Sequence, residues 1–204
     1  MYAEPPTQGV VRLCVDERPC QLVDEVMSPL AAKPGKVRKV DYEYKRQGTC
    51  CMFIAYDLDR GWRYTEVRKQ RTKKDYAAFI DRLLSTYYMD AKKVKLVQDN
   101  LNTHTKGSFY EHLSVGRAGA LSALIDFVYT PKHGSWLNMA EIELSALSRQ
   151  CLEGRIGTVE ELQKQTGLWT GRRNRQAVKI SWSFSVEAAR EKLNRSYQQV
   201  NQQN

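Results

Sequence analysis

The sequence predicts an α/β domain in which a mixed five-stranded sheet is flanked by helices, with extra helices at the C-terminus. Three observations predict it. Three apolar segments rich in β-branched residues lie within the first 69 residues and have the character of strands. After them, segments with helical spacing alternate with two short apolar segments, the pattern of βαβ units. The 204 residues are 42% apolar, which suffices for one domain with a buried core.

The first three predicted strands cover residues 10–16, 48–58 and 62–69. The first two are strongly apolar, as expected for buried strands, whereas the third alternates between apolar and polar residues like a half-exposed strand. An Asp-Arg-Gly turn joins the second strand to the third and predicts a hairpin. Polar, proline-containing sequence between the first strand and Lys36 predicts an irregular loop.

The rest of the chain is predicted to alternate helices with strands and then to end in helices. Thr72 followed by Asp75 resembles a capping box, with Asp in place of the usual Glu, and marks a helix start. The remaining elements follow from apolar residues at helical spacing or in short β-branched runs. The predicted segments are a helix at 72–88, a strand at 94–99, a helix at about 106–113, a strand at 125–129, and helices at 136–152, 159–173 and 186–197.

Three antiparallel strands followed by βαβ units form the element order of the ribonuclease H-like fold. The sequence has no internal repeat and no clear linker inside this region. We therefore expect a single domain over residues 10–197. Residues 1–9 are expected to be disordered or the remnant of a linker, and the Gln- and Asn-rich residues 198–204 are expected to form a disordered tail.

The composition indicates which partner the domain binds. The chain carries 32 Lys and Arg against 23 Asp and Glu, a net charge of +9, which predicts attraction to nucleic acid or to an anionic membrane surface. No stretch approaches the roughly 18 apolar residues needed to span a bilayer, and the N-terminus lacks the pattern of a signal peptide. Nucleic acid is therefore the favoured partner. Five cysteines without a CxxC pair predict small core residues in a reducing cytosol.

Two acidic residues stand where predicted strands end. Asp16 closes the first strand and Asp99 closes the fourth. These strands are neighbours in a ribonuclease H-like sheet, so the two carboxylates would meet at one edge. Two carboxylates in one small apolar region are unfavourable without a cation. The pair therefore predicts a metal site, although either acid alone is more typical of a strand-end cap or a surface charge.

The helix predicted after Gly134 offers a third carboxylate, at Glu141 or Glu143. Positions two apart on a helix point about 200° apart, so only one of them can face the sheet. Glu141 follows Leu137 and Asn138 by one turn and is the better candidate, which leaves Glu143 facing solvent or bracing a basic neighbour. An all-oxygen site of this kind suits two Mg²⁺ ions, with Mn²⁺ as a substitute. Two such ions would support phosphodiester chemistry.

Three segments resemble the catalytic motifs of insertion-sequence transposases. They are VDE at residues 15–17, QDNLNTHT at 98–105 and YTPKHGSWLNMAE at 129–141. The resemblance is to the insertion-sequence six-thirty family, the bacterial branch allied to the mariner group, and it covers residues 10–197. It implies a DDE endonuclease domain whose triad is Asp16, Asp99 and Glu141.

The resemblance also implies an activity and its setting. Members cleave transposon ends with two metal ions and join the freed 3′-hydroxyl to a short TA-containing target. We expect the chain to form a homodimer when assembled on DNA, in the bacterial cytosol and in association with the nucleoid. Members carry helix-turn-helix domains ahead of the catalytic domain, whereas Asp16 lies close to the start here. The chain is therefore expected to lack recognition of transposon ends by itself. Two alternatives stay open: a non-catalytic DNA-binding or regulatory remnant, and a ribonuclease H-like nuclease without strand transfer.

Residues near the triad are candidates for supporting roles. Asn100 and His104 follow Asp99, and His104 could contact a phosphate or orient a water, while an Asx turn and a helix cap are the simpler interpretation of the asparagine. Asn138 could orient Glu141 or contact DNA. Ser135 is predicted to cap the helix that carries Glu141.

Basic runs are candidates for binding DNA phosphates, although such runs are often only solvated surfaces. The candidate DNA-binding residues are Lys36, Arg38, Lys39, Arg71, Lys73, Lys74, Lys132, His133, Arg172 and Arg173.

Overall fold

The computed structural model describes residues 1–37 and 39–201 and confirms a five-stranded mixed sheet flanked by helices. Arg38, a predicted DNA-binding residue, and residues 202–204 of the predicted tail lie outside the described residues. The strands are β1 (Val10–Glu25), β2 (Tyr44–Asp57), β3 (Trp62–Arg68), β4 (Lys93–Gln98) and β5 (Ile125–Tyr129). The helices are α1 (Lys73–Tyr87), α2 (Gly107–Tyr110), α3 (Val115–Leu124), α4 (Met139–Cys151), α5 (Val159–Arg175) and α6 (Val186–Asn201).

Strand β1 lies at the centre of the sheet, in the order β3-β2-β1-β4-β5. It pairs antiparallel with β2 and parallel with β4, and β5 is parallel to β4. Side chains alternate between the two faces, so Leu13 and Val15 pack into one core cluster with α1, while Cys14 packs into another with α4. The predicted hairpin between β2 and β3 is confirmed.

Strand β1 is longer than predicted, because it continues to Glu25 through sequence that suggested a loop. Its second half keeps its antiparallel pairing with β2, whereas its parallel pairing with β4 ends at Cys14. Pro19 lies in this second half, in an edge-like position that tolerates the missing N–H group. The β1–β2 ribbon therefore extends beyond the paired end of β4.

The helical part differs from the prediction in four places. Helix α2 has only four residues, and α3, which begins at Ser114 as N-cap, was not predicted at all. Two glycines within its ten residues weaken its helical signal. Helix α4 starts at Met139 rather than at residue 136, because a short 3₁₀ turn, Ser135–Leu137, precedes it. Helix α6 extends to Asn201, so residues 198–201 are helical.

Residues 1–9 also depart from the expectation, since several of them pack onto the domain. The Tyr2 hydroxyl donates a hydrogen bond of 2.6 Å to the carbonyl of Leu137, just before α4. Arg12 donates to the carbonyls of Met1 and Glu4 at 3.1 and 2.6 Å. These contacts hold the N-terminal segment against the sheet. Among the described residues, no helix is both long enough and apolar enough to cross a membrane.

Side chains of α5 form hydrogen bonds with backbone groups of β3, the outer strand of the sheet. The Asn174 amide donates to the carbonyl of Arg63 and accepts from its N–H, both at 2.8 Å. Gln163 accepts from the N–H of Val67 at 2.7 Å. An edge strand would otherwise expose these backbone groups to solvent or to another chain. Helix α5 is thereby fixed along β3.

The predicted capping box at α1 is confirmed, and it supports a first test. The Thr72 hydroxyl accepts from the Asp75 N–H at 3.2 Å, and the Asp75 carboxylate accepts from the Thr72 N–H at 2.9 Å. We expect Thr72→Ala to lower the free energy of unfolding by about 1 kcal/mol, because an N-cap bond is lost. Urea unfolding at pH 7 measures this, and Thr86→Ala in the last turn of the helix serves as the control. Equal losses in both variants would contradict the assignment.

Candidate active site

The sheet places Asp16 on its central strand, close to the helix α4. Asp16 is 8% exposed, and its Oδ1 accepts from the Glu17 N–H at 2.8 Å. Its position follows from the apolar run before it, which fixes β1 in the middle of the sheet. A carboxylate in such a place loses most of its hydration, so its charge must be compensated or suppressed.

Asp99 follows the last residue of β4, directly beside β1. The parallel register pairs Cys14 with Val97, and continuing it by two residues brings Asp16 level with Asp99. Because β1 continues to Glu25, Asp16 lies within the strand and not at its predicted end, but the register still brings it beside Asp99. Asp99 is half-buried, and its Oδ1 accepts from the Leu101 N–H at 3.2 Å, so Asp99 forms the Asx turn that was predicted for Asn100.

Glu141 lies in the first turn of α4, where Asn138 rather than the predicted Ser135 is the N-cap. The Asn138 side chain is fully buried, and its Oδ1 accepts from the Ala140 N–H at 3.1 Å. Its Nδ2 donates to the carbonyl of Val15 at 2.9 Å and lies 3.5 Å from Asp16 Oδ2. Asn138 therefore joins the start of α4 to the strand that carries Asp16.

Asp16 and Glu141 line one cleft. It has a volume of about 440 Å³ and lies between the middle of β1 and the exposed side of α4. Glu17, Arg18, Ser148 and Arg149 are among the other residues that line it. Asp99 is absent from this lining, so the structure brings two of the three predicted acids to the same cleft and places the third beside it.

The pKa of Asp16 reflects its burial and the acidic residues around it. Burial raises its pKa, and the negative charges of Glu141, Glu17 and Asp99 raise it further, to about 7. The backbone bond from Glu17 acts in the opposite sense but is too weak to prevent the rise. Asp16 is the group in the site whose ionised form most needs a cation.

The buried side chain of His104 contacts Asp99. The ring is fully buried, with Nε2 2.9 Å from Glu17 Oε2 and Nδ1 2.7 Å from Asp99 Oδ1. The Asp99 oxygen lies off the axis of the Nδ1–H bond, so this contact is an ion pair without a well-directed hydrogen bond. Burial opposes protonation of His104, but Asp99 and Glu17 outweigh it and raise its pKa to about 9. The same contact lowers the pKa of Asp99.

The loop after Asp99 is fixed by its neighbours on the sheet. Gln98 is fully buried, accepts from the Tyr76 hydroxyl at 2.5 Å and donates to the carbonyl of His104 at 2.9 Å. The Tyr129 hydroxyl donates to the same carbonyl at 2.8 Å. Sequence reasoning missed Gln98 and Glu17 as parts of the site. Their polar side chains at the ends of apolar strands, directly beside the two aspartates, were the available signal.

The donor set fits a hard divalent cation, because it consists of carboxylate oxygens at a concave surface. The observation that favours the fit is the position of Asp16, a buried carboxylate that lines the same cleft as Glu141 and whose pKa is raised by burial and by neighbouring acids. Within residues 1–37 and 39–201, no three His, Cys, Asp or Glu side chains are already grouped closely enough to hold a metal ion. Asp99 is turned to His104, which accounts for the incomplete grouping.

The other predicted site residues fall into two groups. Asn100, Lys36, Lys39, Arg71, Lys74, Lys132, His133 and Arg172 are exposed, while Lys73 is half-buried and pairs with Glu111 at 2.6 Å. Arg71 also lies 3.9 Å from Glu17, which brings it near the acidic residues. Arg173 is a correction. Its side chain is 14% exposed and its guanidinium pairs with Glu143 inside the domain, so it is not a surface contact for DNA.

The position of Glu143 also differs in part from the prediction. It braces basic residues, as one of the two interpretations held, but it does so in the interior, because its side chain is 0% exposed. Glu141 and Glu143 thus occupy opposite sides of α4, as their 200° separation requires.

Comparison with known proteins adds to this geometry. Residues 11–163 match the family described as DDE superfamily endonuclease. No curated protein sequence matches the chain. Similar solved structures include the Mos1 mariner paired end complex with Mn, at 17% identity and a TM-score of 0.53, and the Mos1 paired-end complex with left transposon end, at 16% and 0.52.

A third similar structure is the Mos1 Strand Transfer Complex, at 17% identity and a TM-score of 0.51. Each of these comparisons covers 83% of this chain and 51% of the solved chain, so the chain spans about half the length of the structures it matches. At such identities the similarity concerns the fold, and it confirms the ribonuclease H-like arrangement predicted from the element order.

Proposed function

Since the chain belongs to the DDE superfamily endonucleases, we propose that it is the catalytic domain of a metal-dependent DNA transposase. Asp16, Asp99 and Glu141 are its metal-binding carboxylates in this proposal. The observation that carries it is Asp16, a buried carboxylate on a cleft shared with Glu141 and level in register with Asp99. A structural role does not explain why a central strand should hold an acid at this energetic cost.

The residues divide the work of the site. Asp16 and Glu141 would hold the ions from the two walls of the cleft, and Asp99 would hold them from the adjacent strand end. Two Mg²⁺ ions, or Mn²⁺ in their place, would activate a water or 3′-hydroxyl and stabilise the leaving oxygen when bound. His104 and Asn138 orient Asp99 and Asp16, respectively, through the contacts described above.

DNA is the proposed partner. The chain carries a net charge of +9, and exposed basic residues border the site, among them Arg71 near Glu17. The similar Mos1 structures are a complex with a transposon end and a strand transfer complex. By analogy, we propose that this chain acts on transposon ends and a TA-containing target, as a homodimer assembled on DNA, within the insertion-sequence six-thirty family.

The decisive experiment is Mg²⁺-dependent cleavage of a DNA duplex carrying the element's ends by the wild type and by Asp99→Asn, at a protein concentration high enough for binding that does not depend on recognition of those ends. We expect the wild type to cleave and Asp99→Asn to lose cleavage, because the amide cannot supply the negative charge. Asp126→Asn is the matched control, since Asp126 lies on the neighbouring strand β5 and is 53% exposed. Its cleavage should equal that of the wild type.

The outcomes separate the proposal from its alternatives. Equal cleavage by wild type and Asp99→Asn would exclude the assigned site. Cleavage without joining of the 3′-hydroxyl to target DNA would indicate a nuclease, and DNA binding without cleavage by the wild type would indicate a regulatory remnant.

A further inference from the structure

Helix α4 carries a second carboxylate, Glu143, which the proposed chemistry does not use. Its side chain is completely buried, two residues after Glu141. A buried carboxylate is unfavourable unless charged partners with good geometry satisfy both of its oxygens. The partners of Glu143 therefore show what the residue does in this fold.

The first partner is Arg63 on β3, which is also fully buried. Its Nε donates to Glu143 Oε2 and its Nη2 to Oε1, both at 2.7 Å, so the two planar groups meet through two parallel bonds. The remaining donors reach the carbonyls of Gly61 and Val178 at 2.5 Å each. Arg63 therefore cannot turn without breaking contacts to three separate segments.

The second partner is Arg173 on α5. It donates from Nε to Glu143 Oε2 at 3.1 Å and from Nη2 to Oε1 at 2.9 Å, again through two bonds. The next residue, Asn174, is the one that pairs with both backbone groups of Arg63. Glu143 is thus held by two guanidinium groups whose own helix and strand are joined to each other.

The bonds of Glu143 to Arg63 and Arg173 hold α4 at one position, and Asn138 holds the helix at a second. At the start of the helix, Asn138 bonds to the carbonyl of Val15 beside Asp16. Glu141 lies between Asn138 and Glu143 and on the other side of the helix from Glu143. Rotation of α4 about its axis would move Glu141 away from the cleft, and the four directed bonds to Glu143 oppose that rotation.

From this geometry we propose that Glu143, with Arg63 and Arg173, is a positioning residue that fixes the rotation of α4 and so aims Glu141 at the cleft beside Asp16. The inference rests on the proposed function, because it assigns Glu141 a metal ion to hold. Mutation of the groups that orient metal ligands typically lowers metal affinity or activity by about 10- to 100-fold. A purely structural cluster would change stability alone.

The test measures Mn²⁺ binding by electron paramagnetic resonance, together with the steady-state kinetics of DNA cleavage, at a temperature where circular dichroism shows each variant folded. We expect Glu143→Gln to weaken Mn²⁺ binding at least about tenfold and to lower kcat, with KM for DNA unchanged. A triple variant, Glu143→Leu with Arg63→Met and Arg173→Met, replaces the ions by apolar groups of similar size and preserves folding if Glu143→Gln does not fold. The triple variant should show the same loss of Mn²⁺ affinity as Glu143→Gln.

The matched control is Glu66→Gln. Glu66 also lies between two arginines, Arg68 at 2.7 Å and Arg82 at 3.3 Å, but it is on β3 and faces away from α4. The Glu66→Gln variant should bind Mn²⁺ as the wild type does. Wild-type Mn²⁺ affinity and kcat in a folded Glu143→Gln or triple variant would overturn the inference.

Glu141→Gln distinguishes this failure from failure of the proposed function. If Glu141→Gln weakens Mn²⁺ binding while the Glu143 variants do not, the positioning role alone is wrong. If Glu141→Gln and Asp16→Asn both bind Mn²⁺ like the wild type, the metal site itself is wrong and the positioning role falls with it.

Discussion

Asp16→Asn is expected to abolish cleavage and at the same time to stabilise the metal-free protein. Loss of a carboxylate ligand removes several kcal/mol of transition-state stabilisation, which corresponds to a fall in kcat of about 1,000-fold or more. The stability change has the opposite sign, because the ionised carboxylate is buried beside other acids and its pKa is raised to about 7. The uncharged amide does not carry that cost.

The pH dependence follows from the direction of the shift. Since the pKa of Asp16 is higher in the folded protein than in the unfolded chain, the folded state binds more protons between about pH 4 and pH 7. The contribution of Asp16 to wild-type stability should therefore fall as the pH rises through that window and then level off. We expect Asp16→Asn to exceed the wild type by about 2–4 kcal/mol at pH 8, with a much smaller difference at pH 4.

Urea unfolding in EDTA at pH 4 and pH 8 measures this difference, and Mn²⁺ at pH 8 adds a second comparison. The ion should stabilise the wild type and not the variant, because only the wild type has the intact site. Asp24→Asn is the control, since Asp24 lies on the same strand but is exposed. An Asp16→Asn protein that is no more stable than the wild type at pH 8, or that still cleaves DNA, would contradict the assignment.

The sequence made the positions of the two aspartates predictable, because strand order decides which strands are neighbours. Apolar runs before Asp16 and Asp99 identify the strands, and the ribonuclease H-like order places those strands side by side. Helix geometry then separated Glu141 from Glu143. None of these steps requires knowledge of a distant contact.

The features that were missed all depend on such contacts. The burial of Glu143 follows from arginines 80 and 30 residues away in sequence, and local pattern carries no signal for that. His104 lies in a polar loop, yet it is buried because Glu17 and Asp99 both bind it. The second half of β1 is polar sequence that is a strand only because β2 pairs with it. Tertiary partners decided each case.

Arg63→Leu is expected to lower the free energy of unfolding by about 3–5 kcal/mol, because it removes one of the two buried guanidinium partners of Glu143 and leaves buried acceptors without their donors. Glu143 keeps Arg173, yet it loses the two shortest of its four bonds. The carbonyls of Gly61 and Val178 lose their donors as well. Urea unfolding at pH 7 measures the loss.

Two comparisons show whether burial of charge is the cause. Arg82→Leu removes a 61% exposed arginine that pairs with Glu66 at 3.3 Å, and exposed pairs contribute about 1 kcal/mol or less, so this variant should stay close to the wild type. The triple variant with Leu at 143 and Met at 63 and 173 should recover most of the lost stability, since no buried charge remains in it. An Arg63→Leu protein within about 1 kcal/mol of the wild type would mean that Arg173 alone compensates Glu143. The rotation of α4 would then be fixed by Arg173 on α5. Arg63 would contribute by packing against Tyr56, whose ring centroid lies 4.9 Å from the guanidinium carbon of Arg63.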